Sequence, residues 1–238
     1  MDHSNPLRER LVDVGVDLVM TEGSAALGLR EIARRAGVSH GAPRRYFPTH
    51  HSLLSAIARR GFTDLTARLA AATEGARTPR DRLRALAEAF LVHAAEHRGM
   101  FELMFRHDLL DSEAHAGDAR PAGAQEGGAR SEAAPADAGT TDRPRLRDST
   151  LPLFAHLVEL VARDRDHWRA RCTGPSYASA PPPAVTAAAL WTNLHGIAVL
   201  RASGALPLAL GTSLPEGGDG PDPLVTAVLD AHLGRVNP

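Results

Sequence analysis

The stretch from 37 to 54, GVSHGAPRRYFPTHHSLL, concentrates side chains that bind anions. Between Gly28 and Arg60 there are seven arginines and one acidic residue, Glu31, although the formal net charge of the whole chain is only −1. Guanidinium groups bind phosphate oxygens and the O6 and N7 atoms of guanine. The local basic density therefore predicts contact with nucleic acid, which the overall charge does not.

A second pattern, HAAEH at 93–97, has residue types and a spacing that suit metal chemistry. His93 and His97 lie four residues apart on one face of a helix, in the order of the H-x-x-E-H motif of inverted zinc peptidases. A third ligand is required, and Glu159 is a distant candidate. The pattern also arises by chance in a helical chain that is rich in histidine. A zinc metallohydrolase using His93, Glu96 and His97 is kept as an alternative, while our main expectation is no catalytic residue, no metal ligand and no cofactor.

Helical signals that would position these residues run through most of the chain, and strand signals are nearly absent. In the first helix Leu7, Leu11, Val14 and Leu18 recur at intervals of four, three and four residues, which gives one apolar stripe. Similar patterns predict an all-α protein of about nine helices. They end with a loop over 203–220 and a last helix that follows it.

One segment interrupts the helical pattern. Between 112 and 147 almost no large apolar residue occurs, and alanine, glycine, proline and charged residues dominate. Such a segment cannot bury enough apolar surface to offset the entropy lost on ordering. We predict that it is a disordered insertion and that the helical pattern resumes at about 151.

The N-terminus and the cysteine content indicate where the protein works. The first residues, MDHSNPLRERLVDVG, carry charges where a secretion signal needs an apolar run. Cys172 is the only cysteine, so no internal disulfide can form. No stretch approaches the roughly 18 consecutive apolar residues of a membrane span. We expect a cytoplasmic protein that makes no contact with a membrane.

The basic segment lies in a predicted arrangement of three short helices. A tight turn over 36–39 joins the second helix to a third that runs from Ser39 to Phe47. Gly37 suits the turn because a left-handed backbone is cheap only without a Cβ atom. Val38 then lies between the two helices, and Ser39 caps the third. This is helix-turn-helix geometry, in which the third helix enters the major groove.

The same geometry predicts which residues contact DNA. Polar side chains of the third helix face outward, and Tyr46 either packs or donates to a phosphate. The N-termini of the second helix and of the helix after Thr49 offer backbone N–H groups to phosphate oxygens. The predicted DNA-binding residues are Arg30, Ser39, His40, Gly41, Arg44, Arg45, Tyr46, Thr49 and His50.

The stretch LGLREIARRAGVSHGAPRRYFPTHHSLLSAIARRGF resembles the DNA-binding domain of TetR/AcrR-type transcriptional regulators. The chain departs from the family pattern where Gly28 replaces a Ser or Thr cap, Arg44 a tyrosine, Tyr46 a histidine and His50 a lysine. The resemblance implies a helix-turn-helix domain over 5–62. The matching residues are Ile32, Ala33, Ala36, Gly37, Val38, Ser39, Gly41, Phe47, Leu53 and Leu54.

The second half, with HRGMFELMF and LWTNLHGIAVL, resembles the ligand-binding domain of a subset of these regulators, named for a Trp…His-Gly signature. Here the signature residues are Trp191, His195 and Gly196. The resemblance implies a helical ligand-binding and dimerisation domain over 63–236. The predicted pocket residues are Phe90, Met100, Phe101, Met104, Phe105, Trp191 and His195. The alternative is that these side chains only fill the core, with His195 bonded to a carbonyl.

Small residues in the helix over 184–202, together with the last helix, predict a dimer seam of two helices per subunit. The sequence as a whole therefore predicts a sequence-specific DNA-binding regulator, acting as a homodimer on a palindromic operator. Its expected partners are double-stranded operator DNA, a small-molecule effector that releases a repressor from it, and a second copy of the chain. A DNA-binding dimer without any ligand, and the metallohydrolase, are the alternatives.

Overall fold

The computed structural model describes residues 6–106, 146–170, 180–210 and 220–235. No strand occurs in these residues, so the all-α prediction is confirmed for them. Two short 3₁₀-helices, Ser24–Ala26 and Ala42–Arg45, accompany the α-helices. The α-helices are α1 (Pro6–Glu22), α2 (Leu29–Arg35), α3 (His50–Ala72), α4 (Pro79–Glu96), α5 (Arg98–Met104), α6 (Leu146–Arg169), α7 (Pro183–Ala202), α8 (Ala205–Leu210) and α9 (Pro223–Leu233).

Local caps explain where the longer helices begin. The Thr49 hydroxyl accepts from the Ser52 backbone N–H at 3.0 Å, and the Ser52 hydroxyl oxygen accepts from the Thr49 N–H at 3.3 Å. Thr78 and Asp81 form the same reciprocal capping box at the start of α4. At α9 the Asp222 carboxylate accepts from two backbone N–H groups of the first turn. Each cap satisfies backbone donors that have no partner inside the helix.

The predicted C-terminal end of the insertion, residue 147, is wrong, because a helix already begins at Leu146. Residues 112–145 lie outside the described part of the chain. Leu146 already begins α6 and is fully buried against the core. Pro152 sits inside α6 rather than near its start. A proline is usually tolerated only in the first helical turn, so the sequence favoured a later start than the structure has.

The predicted loop over 203–220 is also wrong in part, because α8 occupies Ala205–Leu210. Gly204, with φ +70°, reverses the chain after α7 in the left-handed conformation that glycine adopts most readily. Pro207 is the third residue of α8, a position in the first turn where its missing N–H costs no hydrogen bond. Residues 211–219 lie outside the described part.

Close helix crossings tie the N-terminal helices to the rest of the core. A Cβ atom on Gly15 of α1 would lie 2.3 Å from the Ile57 Cδ1 atom of α3. A Cβ atom on Gly99 of α5 would lie 2.6 Å from the Val19 carbonyl oxygen of α1. The predicted domain boundary at 62/63 falls inside α3, which is continuous there. The N-terminal and C-terminal parts therefore share α3, and α5 lies directly against the end of α1.

One buried arginine joins three helices of the C-terminal part. The Arg80 guanidinium makes a bidentate ion pair with Asp164 of α6, at 3.2 and 2.9 Å. It also donates to the backbone carbonyl oxygens of Leu233 at 3.0 Å and Gly234 at 2.8 Å, at the end of α9. Only 4% of the Arg80 side chain and 1% of the Asp164 side chain are exposed. This contact links α4, α6 and α9, and no pattern in the sequence predicts it.

Helix α7 corrects our expectation about apolar stretches. It has 20 residues, and its most apolar window has a mean hydropathy of 1.2, so by length and composition it qualifies as a membrane span. Core helices of water-soluble proteins pass the same test. Here α7 packs against α4, α6 and α9. Its residues Leu190, Leu194 and Ala198 belong to the hydrophobic core.

Candidate DNA interface and effector pocket

The turn after α2 has the geometry that the sequence predicts. Gly37 has φ +67°, and a Cβ atom there would meet nothing within 4 Å, so conformation rather than space favours glycine. The Val38 N–H donates to the Ala33 carbonyl at 3.0 Å, and the Gly37 N–H donates to the Arg34 carbonyl at 3.2 Å. These two bonds form a Schellman motif, which ends α2 and fixes the direction in which the chain leaves it.

The segment after this turn is not the regular α-helix over 39–47 that we predicted. Residues 39–41 form a turn, and a 3₁₀-helix follows over Ala42–Arg45. Pro43 has no N–H to give to the Ser39 carbonyl, which instead accepts from the Ala42 N–H at 2.9 Å. No side chain caps this 3₁₀-helix, so the predicted capping role of Ser39 is wrong. Pro43 and Phe47 are buried and anchor the segment.

Six of the seven arginines of the basic segment fall into two groups. Arg34 and Arg35 pair with Glu31, and Arg60 pairs with Glu9 and Asp13 across α1 and α3. By contrast, no ion-pair partner is found among the described residues for three other exposed arginines of this segment. These are Arg30, Arg44 and Arg45. They are the charges left to attract an anion, because the first group is already neutralised by nearby carboxylates.

The paired group stiffens the scaffold beneath the turn. Hydrogen bonds from Arg34 and then Arg35 lower the pKa of Glu31 from 4.5 to about 2, so this carboxylate stays ionised at neutral pH. Arg35 also donates to Glu22 at the end of α1. The network therefore links the ends of α1 and α2. Each of these exposed ion pairs contributes little to the free energy of unfolding by itself.

The other predicted DNA-binding residues differ in their exposure and in their contacts. Tyr46 is half-buried and packs against the core. The His50 Nε2 atom lies 2.6 Å from the Leu27 carbonyl oxygen and so fastens the start of α3 to the loop before α2. No side chain caps the N-terminus of α2 at Gly28. The exposed members of the predicted set are Arg30, Ser39, His40, Gly41, Arg44, Arg45, Thr49 and His50.

The predicted pocket residues separate onto two faces of α5. Phe101 and Phe105 face an aromatic cluster in which Phe90 of α4 lies 5.5 and 6.4 Å from their ring centroids. Trp191 of α7 lies 5.2 Å from Phe90 and 5.8 Å from Phe105. His195 stacks on Phe101 at 5.3 Å. We call these five residues the aromatic cluster; its members Phe105, Trp191 and His195 are half-buried, and the other two are buried.

The two methionines of the predicted set lie on a neighbouring face of α5, about 100° around the helix axis from the phenylalanines, and face α3. A Cβ atom on Gly61 of α3 would lie 2.7 Å from the Sδ atoms of both Met100 and Met104. Both methionines are buried, with 3% and 0% of their surface exposed. They fill the close crossing of α3 and α5, so the geometry separates them from the aromatic cluster.

The prediction that Glu159 supplies a third ligand to the HAAEH pattern is wrong. Glu159 lies on the exposed surface of α6, where it accepts from Arg163 at 2.5 Å. Within the described residues, the acid whose carboxylate lies close to both histidines is Asp64 of α3. The sequence carried no local signal for Asp64, because it lies 29 residues before His93 along the chain.

The predicted dimer seam exposes small and apolar residues. On α7, Val185, Val199 and Leu200 are 55%, 47% and 43% exposed. A Cβ atom on Gly196 would meet nothing within 4 Å. On α9 the exposed Ala227 lies with Ala231 along an open groove. The outward faces of both helices therefore combine small residues with exposed apolar side chains among the described residues.

Two family models match the chain, and together they cover both parts of the fold. The model described as "Bacterial regulatory proteins, tetR family" matches residues 11–57. The model described as "Tetracyclin repressor-like, C-terminal domain" matches residues 83–216, more than half of the chain. The first contains the Schellman turn and the unpaired arginines, and the second contains the aromatic cluster.

Individual relatives agree with these matches. The HTH-type transcriptional regulator BetI of Rhizobium meliloti (strain 1021) is 38% identical over 79 residues. That alignment covers 33% of this chain and 39% of BetI, so the chain matches about two fifths of the length of this curated relative.

Solved structures reproduce the whole fold. A protein of unknown function from Rhodococcus sp. RHA1 is 27% identical with a TM-score of 0.61, covering 98% of this chain and 96% of that one. A TetR-like transcriptional regulator from the same organism is 17% identical with a TM-score of 0.54, covering 96% of this chain and 97% of that one. At that identity the second likeness shows the fold alone.

Proposed function

Because the chain belongs to the TetR family of bacterial transcriptional regulators, whose N-terminal domain binds DNA, we propose that it is an effector-released repressor that acts as a homodimer on a palindromic operator. The observation that carries the DNA-binding part is the set of exposed, unpaired arginines beside a Schellman turn. A protein with this partner works in the cytoplasm. Catalysis has no part in the proposal.

The short 3₁₀-helix presents the recognition residues. Arg44 and Arg45 are exposed at its C-terminal end, while Pro43 and Phe47 bury their side chains on the other side. Arginine forms bidentate bonds with the O6 and N7 atoms of guanine and also holds phosphates. Arg30 and the N-termini of α2 and α3 then bind the DNA backbone on either side. In this proposal Arg45 reads a base, and Arg44 stands where the family has a tyrosine.

Replacing Arg45 with alanine is expected to weaken binding to the preferred duplex by about 1–3 kcal/mol and to relax the base preference at one position. The reason is that a lost bidentate contact affects only the sequence that offers its acceptors. Fluorescence anisotropy with the preferred duplex and a scrambled duplex measures both affinities. Arg60→Ala is the matched control, because Arg60 is an exposed arginine of the same segment that acids already neutralise.

Equal losses on both duplexes would assign Arg45 to phosphate binding. A loss no larger than that of Arg60→Ala would place Arg45 outside the interface.

Two copies are needed to read a palindrome. The outward faces of α7 and α9 support a seam of four helices, because small and apolar residues allow two such pairs to approach closely. A symmetric dimer of this kind places its two recognition segments about 34–36 Å apart, one DNA turn, or at a near multiple of that distance.

Val199→Glu is expected to convert the dimer to monomer, because it would bury two carboxylates at the symmetric seam. Sedimentation velocity at micromolar concentration measures the change. Met20→Glu is the matched control, since Met20 of α1 is an apolar residue of similar exposure, 43%, on a helix outside the proposed seam. Equal behaviour of the two variants would remove α7 from the dimer interface.

The aromatic cluster is our proposed effector site. Flat rings from α4, α5 and α7 meet there around a histidine, and three of the five side chains keep part of their surface accessible. Such an apolar lining with one polar group suits a small, mainly apolar molecule. The two methionines are then core residues that support α5 from behind.

The position of α5 offers a route from this site to the DNA. Gly99 of α5 packs against the backbone of Val19 and Gly23 at the end of α1, so α5 cannot move without affecting α1. An effector that moves α5 changes the preferred spacing of the two recognition segments and lowers the population that fits the operator. Release of a labelled duplex, together with a change in Trp191 fluorescence, tests this proposal. Release without any such change would point to another site.

A further inference from the structure

The HAAEH pattern at 93–97 lies beside an acidic residue that the sequence did not indicate. Asp64 of α3 and the two histidines of α4 offer ligand atoms that all lie within 4.8 Å of one another. The centroids of the two imidazole rings are 4.8 Å apart, and the ring planes are inclined at 64°. His93 is 1% exposed, His97 is 15% exposed and the Asp64 side chain is 53% exposed. The group is therefore buried at one end and open to solvent at the other.

The two histidines carry unsatisfied polar atoms. Within the part of the chain that the structure describes, neither nitrogen of His93 or of His97 has a hydrogen-bond partner. The Asp64 Oδ2 atom lies 3.8 Å from the His93 Nδ1 atom, beyond hydrogen-bonding distance. Buried polar groups without a partner are rare because their desolvation is costly. A bound cation would satisfy one nitrogen of each ring, since each neutral imidazole has one nitrogen with a free lone pair.

We propose that Asp64, His93 and His97 bind a divalent transition-metal ion of the zinc type. Two imidazole nitrogens and one carboxylate oxygen form a donor set that zinc accepts, with water in the fourth position. Tetrahedral zinc with bonds of about 2.0–2.1 Å needs its ligand atoms roughly 3.4 Å apart. Side-chain rotations that move each ligand atom by about 1 Å would bring these atoms from their present separations, within 4.8 Å, to that distance.

Arg68 is the one arginine close to this group among the described residues, and it pairs with both nearby acids, Asp64 and Glu96. Its Nε atom donates to the Asp64 Oδ2 atom at 3.0 Å, and its Nη1 atom donates to the Glu96 Oε2 atom at 3.3 Å. The Asp64 Oδ2 atom that accepts from Arg68 is also the oxygen that faces His93, and a carboxylate oxygen has lone pairs for both an arginine and an ion. Glu96 remains paired with Arg68, so the arrangement supports ion binding rather than the hydrolytic chemistry of the H-x-x-E-H motif.

The position of His97 gives the ion a structural consequence. This residue ends α4 and begins α5, with φ −120° and ψ 44° at the bend between them. An ion held by His97, His93 and Asp64 would fasten that bend to α3, the helix that continues into the DNA-binding part. Ion binding itself does not depend on the proposed repressor function and is measured without DNA.

The test uses the full chain, purified without a histidine tag, stripped with chelator and dialysed against micromolar Zn²⁺ or Co²⁺. We expect one ion per chain, and visible Co²⁺ absorption of the intensity that tetrahedral coordination gives. His97→Ala and Asp64→Asn should each weaken binding at least about tenfold; both residues are accessible enough to change without emptying the core. His156→Ala is the matched control, because His156 is an exposed helical histidine that lies 3.9 Å from an acid, Glu159.

Circular dichroism confirms that each variant is folded. Absence of a retained ion in the unmodified chain would overturn the proposal. So would retention that falls equally in His97→Ala and His156→Ala, since binding would then come from scattered surface histidines.

Discussion

Replacing Asp164 with alanine is expected to lower the free energy of unfolding by about 3–5 kcal/mol, because the change leaves the Arg80 charge buried without its counter-ion. Arg80 then retains the carbonyl oxygens of Leu233 and Gly234, and the Asp230 carboxylate lies farther off, at 4.0 Å. The loss should appear as a lower midpoint in urea, with little change in the slope. Since the same guanidinium holds the end of α9, hydrogen exchange in α9 should accelerate more than in α1.

The control for this prediction is an ion pair of the same type on the surface. Glu159→Ala removes the partner of Arg163 on α6, where both side chains are about half exposed, and is expected to cost about 0–1 kcal/mol. A double replacement of Arg80 by methionine and Asp164 by leucine should recover much of the stability, because no unpaired charge remains. If Asp164→Ala costs no more than Glu159→Ala, the buried pair does not hold the three helices together.

Replacing Phe90 with alanine is expected to cost about 3–5 kcal/mol. Phe90 is 1% exposed and lies at the centre of the aromatic cluster, with ring contacts to Phe101, Phe105 and Trp191. Its removal forfeits the burial of one ring and the edge-to-face contacts, and it leaves a cavity between α4, α5 and α7. Thermal or urea unfolding followed by circular dichroism measures the loss, and Trp191 fluorescence reports the change beside the cavity.

Phe90→Leu provides the comparison, because leucine fills most of the same space and is expected to cost under about 1.5 kcal/mol. The two variants also separate packing from effector binding. An effector that occupies the aromatic cluster should restore more stability to Phe90→Ala than to Phe90→Leu, since it fills the cavity. Equal losses in the two variants would show that the ring is not closely packed.

Local chemistry made much of the N-terminal part predictable. Gly37 was expected in a left-handed turn and has a positive φ there, because glycine alone adopts that conformation cheaply. Leu11 and Leu18 were expected on a buried stripe and are fully buried, because a helical repeat places them on one face. The 3₁₀-helix was missed although its cause, Pro43, was visible. Pro43 has no N–H to donate to the Ser39 carbonyl, and this missing hydrogen bond favours the 3₁₀-helix over a regular α-helix.

The features that the sequence did not predict depend on residues far apart in the chain. Arg80 and Asp164 are 84 residues apart, and nothing in either neighbourhood indicates that one neutralises the other. Asp64 completes the histidine pair only because α3 and α4 pack side by side. The division of the pocket residues into two faces of α5 likewise depends on which helix covers each face. Periodicity predicts that a face is buried, but tertiary packing selects the neighbour.

The central claim is that this chain reads a specific palindromic DNA sequence as a dimer. Selection of bound duplexes from a random pool by the full chain, followed by affinity measurements at increasing salt, tests it most directly. We expect one enriched palindrome, with half-sites spaced to match two recognition segments about one DNA turn or a near multiple apart, and affinity that falls steeply as salt rises. No enriched sequence, together with weak binding even at low salt, would contradict the account.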